Sequence, residues 1–269
     1  MTGTARENTA GLRARLDQRR ADPALTGLPG DLFAAADLIG RDPQLRGALS
    51  DAGQPGEARV GTVRALFAGR VSPLAVDVLA DVAAQRWAGP AFLLEAVEDL
   101  AAQADFMVAQ NSGTLDRVED ELFAFDRALS GSADLQMALT DPAVGSAEKA
   151  RLVESLLAGR AEPQAVEVLS YAMSHLRGRR AASVLDDLID LAAEQRDRSV
   201  AEVVVARPLE ADQAERLAIA LSRLNGRDVR LNVVVDPAVI GGISVRLGEQ
   251  VMDATMTTRI QQARRTLVG

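Results

Sequence analysis

The chain has 269 residues, of which 48% are apolar and 25% charged, enough to bury sizeable cores. It has no cysteine and a single histidine, His175. That excludes disulfides, iron–sulfur and thiolate zinc centres, cysteine nucleophiles and multi-histidine metal sites. The net charge is −8, aromatics are 3%, and arginine supplies every basic residue except Lys149. An acidic chain without a basic field or stacking platforms is a poor partner for nucleic acid.

Helical spacing of Ala, Leu and Val dominates to about residue 198. The first segments predicted as helices are Ala5–Arg19 and Asp31–Ile39. A helix with Val60, Val63, Leu66 and Phe67 on one face follows, stopped by Gly69, and Pro73 opens the next. Further on come Ala91–Val108 and Leu115–Ala128. Then follow a helix with Ala150, Val153, Leu156 and Leu157 on one face, a helix opened by Pro163, and Ala182–Arg196. From Val200 the texture changes to short β-branched runs, which suit a pleated surface. The expected order is strand Ala201–Ala206, helix Glu210–Leu224, strands Val229–Val235, Ile243–Leu247 and Gln250–Met252, and helix Thr255–Leu267. No run of about 18 apolar residues is present, so no membrane-spanning helix is predicted. The first residues lack the apolar core of a signal peptide, and the expectation is a cytoplasmic, leaderless protein.

A repeat organises the helical part. Leu45–Val82 aligns with Leu135–Ala172 at a shift of 90 residues without a gap, with 14 identities in 38 positions. They include Asp51/Asp141, Val63/Val153, Gly69/Gly159, Arg70/Arg160, Pro73/Pro163 and Leu79/Leu169. Beyond a one-residue shift, Asp99-Leu100-Ala101-Ala102 matches Asp190-Leu191-Ala192-Ala193. A duplicated helical unit follows, and short connections imply antiparallel neighbours. The fold class is mainly α with a small α/β C-terminal domain. It divides into a first bundle over 1–91, a second over 92–198 and a mixed strand/helix domain over 199–269.

Chemistry-bearing patterns are sparse. Gly241-Gly242 lacks phosphate-loop spacing and leads into a strand, so it reads as a turn. The cluster Arg177-Gly178-Arg179-Arg180 has the geometry for phosphate, but between two helices of an acidic protein it reads as a solvated junction or a contact to an acidic helix. His175 has no second ligand. Glu119-Asp120-Glu121 and Asp186-Asp187 read as wet helix faces. No catalytic, metal or cofactor site is expected. Amphipathic bundles suit the binding of a partner's amphipathic helix, and a helical-repeat adaptor is one form of that reading.

The C-terminal residues carry a resemblance. They are Ala201-Glu202-Val203-Val204-Val205-Ala206, a helix, Gly226-Arg227-Asp228-Val229-Arg230-Leu231-Asn232, and then Asp236-Pro237-Ala238-Val239-Ile240-Gly241-Gly242-Ile243. The pattern runs on through Val245-Arg246-Leu247-Gly248 and Val251-Met252-Asp253 to Arg259. It resembles the delta subunit family of F-type ATP synthase, which includes the oligomycin-sensitivity-conferring protein. Asp253-Ala254-Thr255 departs from the Asp-Gly-Ser common in that family. The family motif falls on Asp236, Gly241, Gly242, Gly248, Asp253 and Arg259, as structural positions. The extra bundle resembles the long actinobacterial form, and without a membrane helix the chain resembles a free-standing delta. The resemblance implies a non-catalytic peripheral-stalk connector on the cytoplasmic face of the cell membrane, attached only through the complex. Its implied partners are the alpha-subunit N-terminal helices and the b subunit. It also implies a groove between a bundle's first and fifth helices, the fifth mapping to Pro163–Leu176 or Pro73–Arg86.

Overall fold

The computed structural model describes residues 3–197, 200–225, 229–236, 243–247 and 250–253. Two compact units emerge, Met1–Ala193 and Glu194–Gly269.

The first unit is helical. Its elements are α1 (Gly3–Asp17), a 3-10 turn (Pro23–Gly27), α2 (Leu28–Arg41), α3 (Pro43–Ser50), α4 (Gly56–Phe67), α5 (Pro73–Ala84) and α6 (Pro90–Asn111). They continue as α7 (Leu115–Gly131), α8 (Ala133–Thr140), α9 (Ser146–Leu157), α10 (Pro163–Ser174) and α11 (Ala181–Asp197). The long helices match the sequence expectation within a turn or so at each end. The short α3 and α8 were not anticipated, because eight residues are too few to show a periodic stripe.

Each of those short helices is started by a side chain. Asp42 accepts from the N–H groups of Gln44 and Leu45, and Ser132, 90 residues on, accepts from that of Leu135. The repeat is visible throughout at this spacing, since α3, α4 and α5 begin and end 90 residues before α8, α9 and α10. Gly69 and Gly159 hold φ of +76° and +67°, the left-handed backbone that lets each chain turn out of its helix. Asp31 Oδ2 accepts from Ser72 N at 2.8 Å, and Glu121 Oε2 accepts from Glu162 N at 2.8 Å. Duplicated sequence has thus kept duplicated hydrogen bonds.

One continuous core runs from Ala5 to Ala192. Its centre is α6, where Ala96, Leu100, Ala101, Ala104 and Phe106 have no exposed surface. A helix apolar on most sides is what a position between two sets of helices requires. The division at 91/92 falls in the first turn of α6, which packs on α1, α2, α3 and α5 before it and on α7 and α10 after it.

The second unit contains β1 (Val200–Val205), α12 (Ala211–Asn225), β2 (Arg230–Val235), β3 (Ile243–Leu247) and β4 (Gln250–Asp253). The sheet order is β2-β1-β3-β4. β1 and β2 are parallel, joined through α12, and β3 lies antiparallel to both β1 and β4. Alternate residues Ala201, Val203 and Val205 of β1 are buried in a small core with Leu221, Val229 and Val245. The helix expected over Thr255–Leu267, and with it Arg259, lies outside the described residues, as do Gly241, Gly242 and Gly248. Asp236 donates its N–H to Val205 O at 2.9 Å, at the end of β2, and Asp253 pairs with Ser244 at the end of β4.

Candidate partner-binding surfaces

Two equivalent helix pairs lie in the first unit. Along the first, α1 runs antiparallel to α5. Asn8 Nδ2 donates to Arg86 O at 2.8 Å, Arg15 pairs with Asp81 at 3.5 Å, and Arg19 pairs with Asp77 at 3.9 Å. Between these helices is a shallow cleft with Leu12, Leu16, Val78 and Leu100 as its apolar floor and the four charged residues as its rim. The rim is open to solvent, with side-chain exposures of 57% and 48% for Arg15 and Arg19 and of 41% and 56% for Asp81 and Asp77. Ion pairs this exposed contribute little to stability, about 0–1 kcal/mol each.

The second pair is α6 and α10. Tyr171 Oη donates to Glu98 Oε1 at 3.1 Å, and Asp105 faces Glu167 one stretch further along. Here the rim is covered. The Glu98 side chain is 12% exposed and Asp105 is buried. What covers it is α2, which packs along α6 and reaches α10 at Tyr171 and Glu167. Phe33 stacks on Tyr171 with ring centroids 4.4 Å apart, and Tyr171 stacks in turn on His175 at 4.3 Å. His175 Nε2 lies 3.3 Å from Asp37 Oδ1, while Nδ1 lies 2.9 Å from Ser174 Oγ and 3.0 Å from Tyr171 O. Two glycines let α2 sit this close. A Cβ on Gly30 would come within 3.3 Å of Glu167 Oε1, and one on Gly40 within 3.2 Å of Arg177 Nη2 and 3.5 Å of Leu94.

Burial sets the electrostatics of this seam. The Asp105 carboxyl is held well above the usual carboxylate range by loss of water, with the Glu167 charge adding to the effect. Glu167 is raised by burial as well, and the Tyr171 phenol is pushed up by burial and then by the Glu98 charge. Asp105 Oδ2 and Ser170 Oγ are buried without a hydrogen-bond partner among the described residues.

The sequence candidates find their places here. His175 is one layer of the aromatic stack. The arginine cluster is a junction whose acidic partner lies within the chain. Arg177 pairs with Glu98, and Arg179 approaches the same carboxylate at 3.9 Å. Arg177 and Gly178 turn the chain with φ of +47° and +81°. Glu119 is buried, unlike the wet face expected of it, whereas Asp120 is exposed. The cover of α2 over α6 and α10 was not read from the sequence. Gly30 and Gly40, spaced ten apart inside a helix, were the signal that was available.

Among the described residues no group of three or more His, Asp or Glu is placed to hold a metal ion. No described helix is long and apolar enough to cross a membrane. A helical unit built on a repeat, followed by a small βαβ-containing unit, makes this a mainly α protein with a small α/β part. The model of the ATP synthase delta (OSCP) subunit family matches residues 100–267. The ATP synthase subunit delta of Parafrankia sp. (strain EAN1pec) is 40% identical over 277 residues, covering 99% of each chain. That of Kineococcus radiotolerans is 40% identical over 269 residues, covering 99% of this chain and 98% of its own. A chain of the solved Toxoplasma gondii mitochondrial ATP synthase hexamer aligns with 64% of this chain and 97% of its own at 24% identity, with a TM-score of 0.33, too loose to bear on the fold. The chain belongs to the ATP synthase delta (OSCP) subunit family, in its long actinobacterial form. As such a subunit it works by binding other subunits of the complex and is peripheral to the membrane through them.

Proposed function

We propose that this chain is the stator connector of an F1Fo ATP synthase. Its helical unit holds the amphipathic N-terminal helix of an alpha subunit at the top of the catalytic head, and its C-terminal unit engages the end of the b stalk. Held from both sides, the head cannot turn with the rotor, and proton-driven rotation is coupled to ATP synthesis. The chain itself catalyses nothing and works at the cytoplasmic face of the cell membrane. Its parts are the two bundles, 1–91 and 92–198, and the strand/helix domain, 199–269. Asp236, Gly241, Gly242, Gly248, Asp253 and Arg259 are structural in that last domain.

The observation that carries this reading is the likeness to delta subunits over 99% of the chain, both bundles included. Stiff bundles with apolar clefts agree with it, since a connector needs rigidity and grooves and no acid, base or nucleophile. The test is titration of the purified full chain with a peptide of the alpha N-terminus and with a C-terminal segment of b. Saturable binding of both is expected. A folded chain that binds neither overturns the proposal.

A further inference from the structure

The two helix pairs share a plan but not a charge balance. At the 90-residue offset, Asp77 on α5 corresponds to Glu167 on α10, and Arg15 on α1 corresponds to Asp105 on α6. In the first pair the acids of α5 meet arginines, Asp81 with Arg15 and Asp77 with Arg19. In the second, the place of Arg15 is taken by another acid and that of Arg19 by Ala109. Asp105 is 2% exposed, and its Oδ2 has no hydrogen-bond partner among the described residues. The backbone of α2 lies against Glu167 at Gly30, in the same seam that stacks Phe33 on Tyr171. An ionised carboxylate at Asp105 would lack both water and a countercharge, which a protein interior does not tolerate. A proton therefore does here what arginine does in the first copy.

We infer that the seam of α2, α6 and α10 is a proton-dependent clamp between the two copies: a proton held on Asp105 against Glu167 keeps it closed, and its loss lets α2 and α10 part from α6. This goes beyond the connector reading and needs no partner subunit. The charged groups on the other elements packed against α6 are turned to other partners. On α1, Arg13 pairs with Asp99 and Arg20 with Asp17. Asp22 caps the 3-10 turn, Asp31 of α2 accepts from Ser72 N, and Asp37 pairs with Arg41. Arg46 of α3 donates to Gly40 O, and Glu121 of α7 pairs with Arg117, while Glu119 is a further buried acid on that helix. Burial, and after it the Glu167 charge, acts on the Asp105 carboxyl, and both favour its neutral form. Opening of the seam hydrates that carboxyl, which then releases its proton as an exposed aspartate does. One proton leaves per opening, so the opening constant rises up to about tenfold per pH unit above the ordinary value of 3.8, until the closed seam ionises as well. The helical unit is then stiffest in acid and yields as pH rises.

The test is amide hydrogen exchange of the full chain, read by mass spectrometry from about pH 5 to about pH 8 and corrected for the intrinsic pH dependence of exchange. Peptides from α2 and α10 report on the seam, and α4, which lies away from it in the first copy, is the reference. In the wild type, protection of α2 and α10 is expected to fall by up to about tenfold per pH unit while that of α4 holds. In Asp105→Asn, which cannot ionise, the protection of α2 and α10 is expected to stay level across the range. In Glu167→Gln the fall is expected to be smaller and to end at a lower pH, because the charge that helps to keep Asp105 neutral is gone. Level protection of α2 and α10 in the wild type overturns the inference without any variant having to fold. An equal fall in α4 also overturns it, since the whole unit then opens and not the seam. So does a fall in Asp105→Asn as steep as in the wild type, or one in Glu167→Gln unchanged in size and end point. None of these outcomes touches the connector reading, which stands or falls on binding.

Discussion

Arg59 is buried, and its guanidinium has no carboxylate partner among its hydrogen bonds. It donates instead to the carbonyls of Asp51, Gln54, Ala83, Ala84 and Gln85, at 2.6 to 3.3 Å. Three of those carbonyls belong to the end of α5, where helix geometry leaves acceptors without an intrahelical donor. Arg59→Ala strips several charge-assisted hydrogen bonds at once, and a loss of about 3 kcal/mol is expected, read as a lower urea midpoint with unchanged slope. Asp105 acts in the opposite sense. Below its ordinary value of 3.8 both folded and unfolded chains hold the proton; above it the unfolded chain releases the proton first. The folded state then binds more protons, so stability falls as pH rises from 3.8 through the raised folded pKa. Asp105→Asn is expected to flatten that fall and to raise Tm at neutral pH, measured by thermal unfolding from about pH 4 to about pH 8. An unchanged pH slope in the variant would show that Glu167 and Asp99, carboxyls also raised by burial, carry the effect.

At the scale of elements, duplication predicts paired behaviour. Gly69 and Gly159 occupy the same left-handed turn, and a Cβ at either meets nothing within 4 Å. The cost of Gly→Ala is therefore conformational and equal in the two copies, about 1 kcal/mol each and additive in the double variant, checked by chemical denaturation. Unequal costs would mean that the two turns have diverged in surroundings. These elements were largely legible, because Gly after an apolar stripe and Pro four residues on, Gly69 and Pro73 or Gly159 and Pro163, mark helix boundaries locally. The short α3 and α8 were not legible, since their start depends on single capping side chains, Asp42 and Ser132, and not on periodicity. In the last unit β-branched runs announced the strands. The parallel pairing of β1 with β2 is a matter of chain path, which local propensity does not encode.

The whole helical unit has one core although its sequence has two copies. Phe33, from the first copy, is 7% exposed against Tyr171 of the second, whereas Phe123, its counterpart 90 residues on, is 40% exposed. Phe33→Ala removes a seam contact and is expected to cost about 3 kcal/mol, whereas Phe123→Ala is expected to cost less than about 1 kcal/mol. Calorimetry of Phe33→Ala is further expected to broaden the transition of the helical unit, as the two halves lose cooperativity. Equal costs at the two positions would contradict an asymmetric use of the repeat.

Composition, periodicity and a fixed 90-residue offset specified a duplicated helical protein ending in a small strand-and-helix unit, because turns, caps and stripes are written within a few residues of one another. They also named the family, through a C-terminal order of residues that needs no structure to be recognised. Which copy keeps an open cleft was decided only by tertiary packing. Identical local signals produce identical helices, but α2 can cover only the pair of helices that the shared α6 brings beneath it. Burial of Asp105 and exposure of Asp77 and Asp81 follow from that placement and from nothing in their sequence neighbourhoods.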